Sequence, residues 1–441
     1  MWTPARCGTR GKPGGEMSTK TAHDRAGATA RNGRSGRWRR WWRRRPVRKA
    51  LVLTHRWTSL VLGLLLVVES TSGAIVLYQP EWFRTTHDWF YRHTTSPEPI
   101  SAQRAVDTVT AAHPGFDASW VSYEGGIYAV GDSAYAHAFS VDPGTGSING
   151  SAELHGGTMG LLANLHDCAF TCSAYPGYLP ALAEQVPLLG LSWGALSLVV
   201  LGLLMVLLVV TGIIVWWPGI RKFSRGFRLR LRKGRFARDY DLHNIIGLIG
   251  APLLLMWGVT GAAFELPAVK DAWVVMTGGQ SGEQPAPRSR PPSPANGPVI
   301  GVDAAVRAAS AATGGEVVYV QLPPGEGPGT YSVSLTGAYS PYEHRALFGG
   351  DATAAVDSHD PTNVSTQDSA DQPAANAFYD EVFEPAHFGW MVNGWWRILW
   401  FLLGMTPAAL AATGLSTWLF RRRTRRRRRR ASAQAEPAAR A

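Results

Sequence analysis

Four apolar stretches constrain this chain more than any other feature. Each can supply the roughly 20 helical residues that a hydrocarbon core requires, with no backbone group left unpaired in lipid. They occupy residues 51–79, 193–217, 243–266 and 395–420. Basic blocks adjoin them on alternate sides: eight Lys or Arg between Arg37 and Lys49, nine between Arg221 and Arg238, and nine Arg between Arg421 and Arg430. The positive-inside rule then assigns the tail 1–50, the loop 218–242 and the Arg-rich tail 421–441 to the cytoplasm. Residues 80–192 and 267–394 fall outside. Their charges agree, with 3 basic against 11 acidic residues in the first segment and 5 against 14 in the second. The expected location is the cytoplasmic membrane, crossed four times, with both termini cytoplasmic and the lipid bilayer as partner.

The net charge of +12 would suggest nucleic acid if it lay on a folded domain with base-reading aromatics. It lies instead beside apolar segments, which excludes nucleic acid. A cleaved secretory signal is a poor reading of the first span, which is too long and is followed by the interfacial aromatics Tyr78, Trp82, Trp89, Phe90 and Tyr91. Of three cysteines, Cys7 sits in the basic tail, while Cys168 and Cys172 lie outside, where oxidation is permitted. They read as a possible local disulfide, with a redox-active pair as the weaker alternative.

An internal repeat organises the spans. His55 precedes Gly73 by 18 residues within a Thr-Ser-Gly step, and His243 precedes Gly261 by 18 within Val-Thr-Gly. Leu201-Gly202, Thr211-Gly212 and Trp216 match Leu403-Gly404, Thr413-Gly414 and Trp418. The expected fold is therefore an α-helical membrane protein, a four-helix transmembrane bundle built as a tandem repeat of two hairpins. The outer segments repeat too, Ile100 to Val106 being offset by 200 from Ile300 to Val306, each a short amphipathic helix. Alternating runs after each, Ile127–Val130 and His137–Val141, then Val317–Leu322 and Thr330–Leu335, predict strands. Two small extracytoplasmic α+β modules result, with a Pro-rich linker from Gln284 to Pro298 before the second.

No phosphate-cradling loop, nucleophile elbow or zinc-protease helix occurs, which leaves histidine. His55 and His243 open outward-running spans and should share one depth. Two imidazoles facing each other across a bundle suit a six-coordinate haem. Taken alone, each reads more readily as an interfacial histidine beside Arg56 or Asp241. His166 and His387 precede the inward-running spans at the outer boundary, but 46 residues separate His166 from Gly212, against 27 between His387 and Gly414. The first copy thus carries about 19 extra residues, including the cysteine pair. Glu69 lies inside the first span, bonded to Thr71, Ser72 or a bound group, or as a packing residue. The Thr-Gly and Ser-Gly steps favour close helix approach or leave room for a flat cofactor. His87 and His93 are alternative outer ligands; His113, His137, His155, His344 and His359 read as surface residues.

His-Arg-Trp opening the first span, Leu-His before the second, Asp-Leu-His-Asn-Ile-Ile-Gly-Leu opening the third and His-Phe-Gly-Trp before the fourth resemble the PepSY-associated transmembrane family. Thr211-Gly-Ile-Ile-Val-Trp-Trp-Pro218 is similar to that family's second-helix ending, and Val141-Asp-Pro-Gly-Thr-Gly146 to a PepSY turn. The likeness runs from about Lys49 to Arg423. It implies iron-regulated inner-membrane proteins, including haem-bearing reductases for ferric-siderophore uptake. Carried onto this sequence it implies two b-type haems held by His55, His243, His166 and His387, with the outer assignment most exposed to the insertion after His166. The expectation is a haem-dependent membrane oxidoreductase of ferric-reductase type. Its donor would be cytoplasmic or a quinol, since no nicotinamide or flavin fingerprint occurs, and its acceptor Fe(III) in a siderophore. The alternative is a non-catalytic membrane protein whose modules bind peptide, protease or metal.

Overall fold

The computed structural model describes residues 46–282, 298–325, 329–336, 352–368, 372–389 and 395–438. Most of the basic N-terminal tail with Cys7, the Pro-rich linker and His344 lie outside the described residues. Four helices are long and apolar enough to cross a membrane: α1 (Pro46–Val76), α5 (Trp193–Trp216), α6 (Arg235–Glu265) and the run Trp396–Arg428, divided at Met405 into α10 (Trp396–Gly404) and α11 (Thr406–Ala438). The other named helices are α2 (Gln79–Thr86), α3 (Ala102–Ala112), α4 (Gly157–Cys168), α7 (Pro267–Thr277), α8 (Val302–Thr313) and α9 (Glu384–His387).

The first and third spans start earlier than hydropathy alone suggests. Helix propensity carries α1 and α6 back through basic residues that a membrane boundary tolerates. His55 is consequently the tenth residue of α1 and His243 the ninth of α6, each more than two turns inside its helix rather than opening it. Helices α5 and α6 approach through glycine. A Cβ at Gly202 would lie 2.7 Å from the Gly258 carbonyl oxygen, and one at Gly258 would lie 2.9 Å from that of Gly202. Only hydrogen side chains allow this approach, the usual basis of close helix association in lipid. Gly404, at the matching place in the last span, meets the Ala74 Cβ at 3.0 Å in the same sense.

The strands do not form two separate sheets. β1 (Ala118–Glu124), β2 (Ile127–Asp132), β3 (His137–Val141) and β4 (Ile148–Glu153) join β5 (Glu316–Gln321), β6 (Thr330–Thr336), β7 (Ala352–Asp357) and β8 (Val364–Asp368) in one eight-stranded sheet, ordered β4-β3-β2-β1-β5-β6-β7-β8. The seam is antiparallel, with Val121 opposite Val320, so each half satisfies the other's exposed edge. Helices α3 and α8 cover one face through Val106, Val109, Ala305 and Ala309 against Val121, Val130, Val320 and Val333. Their N-termini cap each other: the Asp303 carboxylate accepts from Gln103 N–H at 3.0 Å, and the Gln103 side-chain oxygen accepts from Val302 N–H at 2.6 Å. Matching positions of the two segments thus meet across the seam.

The turn after β3 is tied by a carboxylate. Burial opposes its charge, but the N–H groups of Thr94 and Gly144 and the Thr145 hydroxyl hold the Asp142 carboxyl at about 2. Asp357 does the same after β7, accepting from His359 and Asp360 N–H and from the Asn363 amide.

Candidate histidine sites

Four histidines form two pairs. The ring centroids of His55 and His243 are 6.4 Å apart with planes at 89°, and those of His166 and His387 are 6.1 Å apart with planes at 38°. Imidazoles bind a metal at about 2 Å, so two of them on opposite sides of one iron hold their centroids roughly 6 Å apart. Both pairs have that separation. Gly261, against which His387 packs, lies 18 residues beyond His243 on α6, so the two levels are about 27 Å apart along the helix. That is close to the roughly 30 Å hydrocarbon thickness.

Hydrogen bonding fixes the tautomers. The Thr211 hydroxyl donates to the Leu207 carbonyl at 2.6 Å and lies 3.0 Å from Nδ1 of His55. A hydroxyl has one hydrogen, so Nδ1 must be the donor. The Thr413 hydroxyl is likewise spent on the Ala409 carbonyl and accepts from Nδ1 of His243 at 3.1 Å. Thr260 donates to Met256 and accepts from Nδ1 of His387 at 2.6 Å. Nδ1 of His166 faces the Glu69 carbonyl at 2.9 Å and the Glu69 carboxylate at 3.0 Å. With every Nδ1 protonated, the lone pair stands on Nε2, the arrangement of a metal-binding imidazole oriented through its other nitrogen.

The glycine of each Ser/Thr-Gly step lies against a histidine ring, tightly at Gly73 and Gly212 and with ordinary clearance at Gly414 and Gly261. A Cβ at Gly212 would lie 3.2 Å from His55 Cε1, at Gly414 3.4 Å from His243 Cε1, and at Gly261 3.6 Å from His387 Cε1. One at Gly73 would overlap the His166 ring. These steps, whose two readings were helix approach or cofactor space, serve as seats for the histidines. The residues present therefore fit a bis-imidazole group at both levels. The metal sites that need three or more His, Cys, Asp or Glu have no counterpart among the described residues, and a haem needs only two.

Short helices present the second pair. His166 is on α4, which ends at Ala169 in the left-handed conformation, and His387 closes α9, directly after the π-helical turn Tyr379–Phe383. The insertion after His166 is organised by the fully buried Asn164, whose amide donates to the carbonyls of Cys172, Tyr175 and Pro176 and whose oxygen accepts from Cys172 N–H. A disulfide joins Cys168 to Cys172, and the Gln185–Ser192 bridge returns the chain to α5. The extra residues thus leave His166 facing His387. Asn164 was not among the candidates from the sequence; an amide two residues before the histidine, within the apolar run Leu161–Leu165, was the available signal.

The pair is electrostatically uneven. Burial, then the neighbouring His166, push His387 down to about 3. Burial acts on His166 as well, but the hydrogen bond and charge of Glu69, with Asp167, outweigh it and raise this imidazole.

The remaining histidines are engaged elsewhere. His87 stacks on Phe83 at 4.4 Å and His93 contacts the Tyr91 carbonyl through Nδ1 at 3.1 Å, so neither joins the His166–His387 pair. His113 stacks on Phe139 at 4.3 Å, His137 pairs with Asp132 and His359 contacts Ser358. His155 is not a plain surface residue: it stacks on Tyr175 at 4.0 Å, and its Nε2 lies 3.1 Å from the Tyr175 hydroxyl. Asp241, two residues before His243, is held by Nε and Nη2 of Arg230. A family profile described as PepSY-associated TM region matches residues 52–421. No curated relative matches the sequence.

Proposed function

The chain belongs to the PepSY-associated transmembrane family, and from that premise we propose that it is a membrane electron carrier with two haem b sites, one near each bilayer face. The observation that carries this reading is the pair of imidazole separations, 6.4 and 6.1 Å, at two levels of one multi-pass α-helical protein. His55 and His243 would hold the cytoplasmic haem, His166 and His387 the extracytoplasmic one. Bis-imidazole ligation leaves no open iron position, so the bound group supplies one-electron transfer rather than oxygen chemistry.

The protein's own part is orientation and exclusion. Thr211, Thr413, Thr260 and Glu69 hold the rings by Nδ1, and the four glycines seat them. Leu66, Leu198, Val199 and Leu254 keep the bundle interior dry. The tandem repeat of two hairpins accounts for the recurrence of this design at both levels. With the basic blocks cytoplasmic, both termini face inward, the joined sheet lies outside the cytoplasmic membrane, and the electron runs outward from a cytoplasmic or quinol donor. The acceptor we assign is Fe(III) in a siderophore, so the activity is ferric reduction during iron uptake.

The test is a reduced-minus-oxidised spectrum of the protein purified in mild detergent. A b-type signal at two haems per chain is expected, and its absence would sink the reading. The acceptor is tested separately, by adding ferric siderophore to the reduced protein without oxygen. Reoxidation matched by Fe(II) release is expected; a spectrum that stays reduced removes the siderophore from the proposal.

A further inference from the structure

We propose that Glu69 is a positioning residue that lowers the reduction potential of the His166–His387 site by holding a carboxylate against Nδ1–H of His166. The inference rests on the haem reading and adds a residue that tunes it. Three of the four histidines give Nδ1–H to neutral oxygens: Thr211, Thr413 with the Leu410 carbonyl, and Thr260. His166 alone among them faces a charged acceptor, Glu69 Oε1 at 3.0 Å.

A carboxylate at this nitrogen draws the proton toward itself, makes the imidazole a stronger donor at Nε2, and adds negative charge near the metal. All three effects favour the oxidised, more positive iron, so the site becomes the stronger reductant. The placement is not explained by helix packing. A carboxylate inside a membrane helix is expensive unless partnered, and the offset of 188 that relates His55 to His243 puts Trp257 opposite Glu69. The repeat therefore accepts an apolar residue here, and only one half carries the charge. Both side chains are largely enclosed, at 20% and 16% exposure, which limits screening of the interaction.

The experiment is a redox titration of the full-length protein in detergent, with the two populations assigned by His55→Ala and His387→Ala. Glu69→Gln keeps an oxygen for Nδ1–H and removes the charge. It should raise the midpoint of the population that His387→Ala removes by at least a tenfold change in the one-electron equilibrium constant, about 59 mV. The other population should stay put, and Glu69→Asp should stay within tenfold of the unmutated protein. Loss of the outer population in Glu69→Gln with retention in Glu69→Asp also supports a need for the charge. Unmoved midpoints in Glu69→Gln, an equal rise in Glu69→Asp, or loss in both overturn the inference. An unmutated protein without haem fails the functional reading itself, and its own spectrum distinguishes that case.

Discussion

The His55–His243 pair is set between membrane spans, each ring deep inside a 31-residue helix and each held by a threonine of another span. The His166–His387 pair is presented by helices of 12 and 4 residues that stop short of the next span, and one of its rings leans on a carboxylate. A long helix fixes a side chain through its own packing. A short one must be fixed from outside, here by Asn164, the Cys168–Cys172 disulfide and the π-helical turn. Similar ring separations are thus reached with different mechanical support, and the second pair should be the easier to disturb.

Substituting the ligands has the largest effect. His55→Ala or His243→Ala should abolish one haem population and spare the other, and His166→Ala or His387→Ala should do the converse, read from the haem-to-protein ratio. Loss of both populations from one substitution breaks the two-level scheme.

The glycine seats sharpen the contrast. A Cβ at Gly73 would overlap the His166 ring, whereas one at Gly261 would make ordinary contact with His387 at 3.6 Å. Gly73→Ala should therefore strip or displace the outer group while Gly261→Ala retains it, as seen in the absorption spectrum. Equal behaviour would mean that the rings are not seated as described.

Removing the disulfide by Cys168→Ser and Cys172→Ser should lower stability by about 2 kcal/mol, as expected for closing so short a loop. The thermal midpoint of the outer haem band should fall while that of the inner band holds. A matched fall of both bands would show that the two levels melt as one unit.

Acid should act on the same region. Burial pushes His155 down to about 4, where it is packed against Tyr175. The unfolded chain takes up a proton near 6.5 that the folded chain refuses until about 4, so stability falls as pH drops through that window and is fully present above it. His155→Gln should flatten the pH dependence of outer-band melting between 7 and 4. The smallest expected change is Thr413→Val, which removes one hydrogen bond to Nδ1 of His243 and should weaken haem retention in denaturant by about 1 kcal/mol.

The four spans were legible because hydrophobicity acts locally. Long apolar runs beside basic blocks specify spans whatever they pack against, and a repeat visible at His55 and His243 placed equivalent groups at one depth. The four histidines of the two pairs were legible for the same reason, as ionisable groups at span ends. Strands β1, β4, β7 and β8 were missed, because their alternation is weak and pairing rather than propensity holds them in the sheet.

The sequence alone determined the four spans, their alternating charge and the candidate ligands, all properties of single segments in water or lipid. Tertiary structure decided the rest. It merged two modules into one sheet, in which β1 and β5 satisfy each other's edges. It returned His166 to His387 across an insertion that blurred their register, and it gave Glu69 a partner, His166, that none of its sequence readings named. Which group a half-buried carboxylate answers depends on neighbours that are distant in the chain, and Glu69 and His166 are 97 residues apart.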